Sequence, residues 1–184
     1  MQLKKTTWIL MITALVLSVW VTLSGEFQKR QEMKNITAQK IFNVEEEQIQ
    51  KIIINQKDLT LEFEAISEQE SSWSMVQPEK TLADDAAISF LTELLVSDTS
   101  DRVITLNPSS LAEYGLDQPI ATITFVTTDG KTHKINLGKS TIGDRFIYAQ
   151  IVDQSTANNK VILVSKNWQY AVERDYQEWK KTQN

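Results

Sequence analysis

Few side chains in this 184-residue chain could carry out chemistry, and their spacing argues against most of it. There is one histidine, His133, and no cysteine. Thiolate catalysis, disulfides, cysteine-ligated zinc, iron–sulfur clusters and a lipid-modified N-terminal cysteine are therefore excluded. A serine triad would need His133 beside a serine and a carboxylate, and the sequence holds no G-x-S-x-G elbow. An all-oxygen cation site stays open; separately, an enzyme would have to rest on unpaired carboxylates such as Asp101, Asp117 and Asp144. Asp84-Asp85 looks like a catalytic or metal-binding pair, but helix capping accounts for it. Gly138-Lys139-Ser140-Thr141 resembles the end of a phosphate-binding loop. The motif's earlier glycine would fall at His133, however, and a strand follows where a helix N-terminus is required. Nucleotide binding is rejected, and no cofactor and no catalytic residue is assigned.

The most ambiguous group is aromatic. Trp168, Tyr170, Tyr176 and Trp179 fall in a C-terminal segment, 166–181, that reads as helical. They are either core or in part a docking surface for a partner or the membrane interface.

The elements that must position these residues follow from pattern. Residues 51–56 (KIIINQ) and 59–66 (LTLEFEAI) read as adjacent strands, the second with Leu59, Leu61, Phe63 and Ala65 on one face. Residues 72–78 (SWSMVQP) add a third strand ended by proline. Residues 81–98 read as a helix with a Thr81/Asp84 capping box and an apolar stripe of Ala87, Ile88, Leu91, Leu94 and Leu95. Residues 121–138 form a hairpin. A two-residue Asp129-Gly130 turn would set Ile123 against Asn136. A three-residue loop with left-handed Gly130 pairs Ala121 with Leu137, Ile123 with Ile135 and Phe125 with His133, so burial of one face selects it. That register makes His133 a partly buried side chain rather than a base. Residues 146–152 and 160–165 follow as strands. The fold class is α+β, a mostly antiparallel sheet with packed helices, and each half reads hairpin, strand, helix, which suggests a duplicated unit.

Residues 6–24 carry no charge over nineteen positions. A helix of that length reaches about 28 Å, the thickness of a bilayer's hydrocarbon core. Trp8 and Trp20 lie near its ends, where indole rings favour the membrane interface. Residues 1–24 are read as an uncleaved transmembrane signal anchor, 25–44 as a polar connector and 45–184 as the soluble domain; a cleaved signal peptide is the alternative. Lys4 and Lys5 favour a cytoplasmic N-terminus, whereas Lys29, Arg30, Lys34 and Lys40 oppose it, so charge alone leaves the topology open. The sequon at Asn35 matters only in a eukaryotic secretory pathway. Beyond Ser24 lie 17 basic and 24 acidic residues, a net charge of −7. Nucleic acid is accordingly not an expected partner; the bilayer and a membrane-protein complex are.

The block EYGLDQPIATITF, the DGK turn, GKST, FIYAQI and VILVS together resemble the bacterial family named Domain of Unknown Function 4340. Tyr114, Gly115, Leu116, Asp117 and Pro119, then Gly130, Gly138 and Tyr148, occupy the matching places, and Trp73 before a proline-ended strand also fits. The likeness spans most of residues 41–174. It implies an extracytoplasmic domain on a signal anchor, facing a periplasm, cell surface or thylakoid lumen. Some relatives are associated with ABC-type export and gliding motility. The family brings no established activity, so these motif residues are read as structural, with Gly115 and Pro119 forming turns and Asp117 accepting from nearby backbone. Together the features imply a membrane-anchored interaction or scaffolding module, with a small-ligand or glycan-binding envelope domain as the alternative.

Overall fold

The structure is a computed structural model that describes residues 39–67, 72–100, 102–104, 108–152 and 160–182. The expected anchor with Trp8 and Trp20, residues 25–38 of the connector with Asn35, and Asp101 lie outside the described residues. Among the described residues, no helix is long and apolar enough to cross a membrane.

Two short pieces, β1 (Gln39–Lys40) and β6 (Thr99–Ser100), pair with each other. The other strands are β2 (Ile49–Gln56), β3 (Thr60–Ser67), β4 (Ser72–Gln77), β5 (Thr81–Leu82), β7 (Arg102–Ile104), β8 (Ala121–Thr127), β9 (Thr132–Ser140), β10 (Phe146–Ile151) and β11 (Lys160–Ser165). They form one nine-stranded antiparallel sheet in the order β5-β4-β3-β2-β8-β9-β10-β11-β7. From the β2–β8 seam a meander runs outward on either side, and each ends in a helix: α1 (Asp85–Ser97) after β5 and α2 (Asn167–Val172) after β11. The class is α+β, as the pattern predicts.

Alternation along the central strands decides which face is covered. Ile52, Ile54, Leu61, Phe63, Ile123, Phe125, Ile135 and Leu137 point to one face and are buried. Helix α1 lays Ala87, Ile88, Leu91, Leu94 and Leu95 onto that face, the stripe that the 3.6-residue period predicts. The hairpin takes the three-residue register, with Ala121 opposite Leu137, Ile123 opposite Ile135 and Phe125 opposite His133. Gly130 is left-handed at φ 77°.

Several boundaries and one face differ from the sequence reading, among them β2, which begins at Ile49, and β9, which runs to Ser140. Helix α1 begins after Asp84, whose Oδ1 accepts from the Ala87 N–H at 2.9 Å, so Asp84 is the cap and Thr81 lies in β5. The stretch 39–44 is not connector but part of the domain: Ile41, Phe42 and Val44 are buried in its core. The charge and glutamine content of 25–40 masks three apolar residues at its end. Ala65, expected on the buried face, is exposed near the irregular end of β3. The C-terminal segment is not one helix. α2 stops at Glu173, and a 3-10 turn, Tyr176–Trp179, starts where Asp175 accepts from the Gln177 N–H at 2.8 Å. Lys180 then bridges back to Ala83.

Candidate functional site

Of the motif residues, Tyr114, Gly115, Leu116 and Gly138 come together over β9 and β10, while Gly130 lies apart in the β8–β9 turn. A 3-10 helix, Pro108–Tyr114, ends where Gly115 turns the chain at φ 67°. The Leu116 N–H donates to the Leu111 carbonyl at 2.9 Å, and Leu116 is buried. The Ile120 N–H then reaches the Leu137 carbonyl at 2.8 Å, laying the segment against β9. Gly138 is the floor of this contact. A Cβ there would sit well under 3.0 Å from the Tyr114 carbonyl oxygen and 3.1 Å from the Leu116 side chain. The Tyr114 and Tyr148 rings meet edge-on at 4.6 Å. Asp117 is exposed and Pro119 half-buried. This constellation holds a loop on a strand by backbone proximity; its polar atoms do not converge on a shared point.

Of the four C-terminal aromatics, Trp168 and Trp179 are fully buried. The Trp168 indole N–H donates to Asp98 Oδ2 at 2.5 Å, and the same oxygen accepts from the Ser165 hydroxyl at 3.2 Å. Asp98 Oδ1 accepts from the Thr99 N–H at 2.9 Å. Trp179 packs on Phe63 at 5.1 Å, with the Arg174 guanidinium 5.8 Å from its ring and 6.0 Å from that of Phe90. Arg174 Nε and Trp179 Nε1 are buried donors with no acceptor among the described residues. Tyr176 is half-buried beneath the Lys180 ammonium, 4.0 Å from its ring centroid. Tyr170 is exposed. Only Tyr170, and in part Tyr176, therefore presents an aromatic surface.

The polar candidates are dispersed. His133 is half-buried, stacked on Phe125 at 4.7 Å and edge-on to Phe42 at 5.7 Å. Asp85 pairs with Lys181 at 2.9 Å, and Asp144 pairs with Lys166. The Lys166 ammonium, with the Ser140 hydroxyl, holds the Asp144 carboxyl below its ordinary range. Among the described residues no group of three His, Asp or Glu side chains could hold a metal ion.

Two surfaces stand out among the described residues. A cleft of about 240 Å³ between the end of α1 and the start of α2 is lined by Phe90, Glu93, Leu94, Ser97, Asp98 and Asn167. The sequence pattern does not reveal it: Asp98 reads as the last residue of a helix, and no local signal ties it to Trp168, 70 positions away. The second surface is the sheet face opposite the helices. Cross-strand neighbours there form three rows: Glu64, Lys51, Val126 and Thr132; Glu62, Ile53, Thr124 and Lys134; and Thr60, Asn55, Thr122, Asn136 and Gln150. Lys51 bridges Glu62 and Glu64, and the Asn136 amide connects Thr122 at 2.9 Å with Gln150 at 3.2 Å. Except for buried Gln150, these side chains are half-exposed or exposed.

No match to the chain was found among curated proteins or among solved structures. Residues 73–183, more than half the chain, match the family described as a domain of unknown function, DUF4340. The match runs from Trp73 in β4 through the Tyr114–Gly138 constellation to the C-terminal 3-10 turn, and the chain belongs to the DUF4340 family.

Proposed function

We propose that this protein is a membrane-tethered interaction module whose polar sheet face docks a partner in an envelope complex, such as an export system. The observation that carries the reading is the three-row face. It spans five strands, is tied together by cross-strand hydrogen bonds and ion pairs, and offers area rather than depth. An uncharged nineteen-residue segment supports the tether, with the N-terminus cytoplasmic and the domain extracytoplasmic. The outward-running meanders on either side of the β2–β8 seam support a duplicated origin.

A photo-reactive residue placed at Thr124, in native membranes, tests the docking face. The reading expects a discrete heavier adduct from Thr124 and none from a matched probe at Lys57, an exposed turn position. A chain that gives no adduct at Thr124 and extracts as a lone monomer would refute it. The cleft beside Asp98 favours a second reading, a small polar ligand or glycan held by Glu93, Asp98 and Asn167 against Phe90. Its volume lies below the roughly 300–1,000 Å³ of typical ligand sites, which ranks it second. Thermal melting across a panel of envelope metabolites would show a shift on this reading and a flat response otherwise.

A further inference from the structure

We infer that the turn between β9 and β10 is a membrane-contacting tip, with Ile142 entering the headgroup region of an anionic bilayer. The inference rests on the tethered reading above. Ile142 is as exposed as a side chain can be, at 106% of its reference area. Backbone hydrogen bonds close the turn that carries it. The Thr141 N–H donates to the Phe146 carbonyl at 2.8 Å, and the Asp144 N–H to the Thr141 carbonyl at 3.0 Å. Gly143 and Asp144 both take left-handed backbone, φ 91° and 57°, and Asp144 is fastened to Lys166. Gly and Asp both suit that conformation, so the turn holds Ile142 at its apex without strain.

The surroundings select the occupant. Lys139 and Arg145 flank the tip and are exposed, and Lys166 reaches toward the exposed Tyr170 ring at 5.8 Å. Lys139, Arg145 and Lys166 outnumber the carboxylate of the tip, Asp144, and with the Tyr170 ring around one apolar apex they match an anionic lipid surface, where basic side chains and tyrosine are favoured. The soluble part is otherwise acidic, at −7, so such a surface repels the rest of the domain and orients this end toward it. A protein partner fits less well: a convex tip one residue wide is far from the roughly 800 Å² each side of a stable interface contributes.

The absence of cysteine allows a clean test. A spin label on Ile142→Cys in the full chain is compared with one on Thr128→Cys, an exposed residue in the β8–β9 loop at the other end of β9. Both proteins are reconstituted into vesicles of phosphatidylcholine and phosphatidylglycerol in a two-to-one ratio. Accessibility to oxygen and to a water-soluble nickel chelate is then read. The proposal expects the label at 142 to be oxygen-accessible and nickel-protected, and the label at 128 to be nickel-accessible. Adding Lys139→Glu and Arg145→Glu should reduce the protected fraction at 142 by about tenfold or more, given the attraction per basic residue near an anionic surface. A label at 142 that is open to nickel while the protein floats with the vesicles overturns the tip and leaves the tether standing. Protection from both reagents means protein contact and also overturns it. Protein that does not float with vesicles overturns the tether, and the tip with it.

Discussion

Replacing Gly138 with alanine probes whether the family's motif residues are held together by backbone proximity. The added Cβ would fall well under 3.0 Å from a backbone oxygen, that of Tyr114, and 3.1 Å from Leu116 Cγ and Cδ2. A carbonyl cannot rotate away as a side-chain end can, so the 3-10 segment must lift from β9 and the Tyr114–Tyr148 contact must open. Overpacking of this kind costs about 1–3 kcal/mol, offset by roughly 0.4–1 kcal/mol from the stiffer unfolded chain. Because the clash is with backbone the upper half of that cost applies, and the net loss is about 1–2.6 kcal/mol, or roughly 2–10 °C in melting temperature for a domain of this size. Circular dichroism melts of the full chain in mild detergent would measure it. The control is Gly130, left-handed at φ 77°, where an added Cβ would meet nothing within 4 Å. Gly130→Ala is costly for its backbone alone, and Asn, which tolerates that conformation, should recover most of the loss. At Gly138 asparagine should be no better than alanine. A Gly138→Ala protein within about 0.5 kcal/mol of wild type, or rescue by asparagine at 138, would refute the proximity argument.

The two buried tryptophans should respond differently to phenylalanine. Trp168→Phe opens a cavity and also strips a donor from half-buried Asp98, costing about 2–4 kcal/mol, whereas Trp179→Phe loses volume but no hydrogen bond and should cost about 1–2 kcal/mol less. Chemical denaturation of the pair checks the order, and equal losses would contradict it. Stability should fall on acidification. Lys131 holds Asp129, Lys180 holds Glu79 and Lys166 holds Asp144 below the ordinary carboxylate range. Their stabilisation is present above the unfolded carboxylate value near pH 4 and is lost as pH drops below it. Asp129→Asn should flatten that decline in melts between neutral and acid pH, and an unchanged slope would count against these pairs. Asp98→Ala should orphan the Trp168 N–H and lower stability by about 1–3 kcal/mol, without altering adduct formation from Thr124.

The legible parts of the fold were those with a local period and one buried face. Burial alone set the hairpin register, because the competing turn places Ile123 opposite Asn136. The α1 stripe was legible for the same reason. Its start was not: Thr81 and Asp84 both suit a cap, and pairing of Thr81 with Met75 in β4 decided between them. Long-range packing hid the rest. Trp168 and Tyr170 differ in burial because the short α2 turns Trp168, Ala171 and Val172 to the core, and Trp179 is buried because α2 ends at Glu173 and the chain folds back to Ala83. The cleft beside Asp98 requires the end of α1 to meet the start of α2, and the exposure of Ile142 requires the turn around it to close. Among motif residues, Gly115, Leu116 and Gly138 could be read as structural, yet the reason for Gly138 is a carbonyl 24 positions earlier.

The central claim, a domain held at a bilayer by its N-terminal segment, is tested most directly by alkaline carbonate extraction of native membranes followed by intact mass measurement. The account predicts that the protein stays in the membrane pellet and that its mass includes residues 1–24. Release into the supernatant, as a polypeptide starting after Ser24, would contradict it.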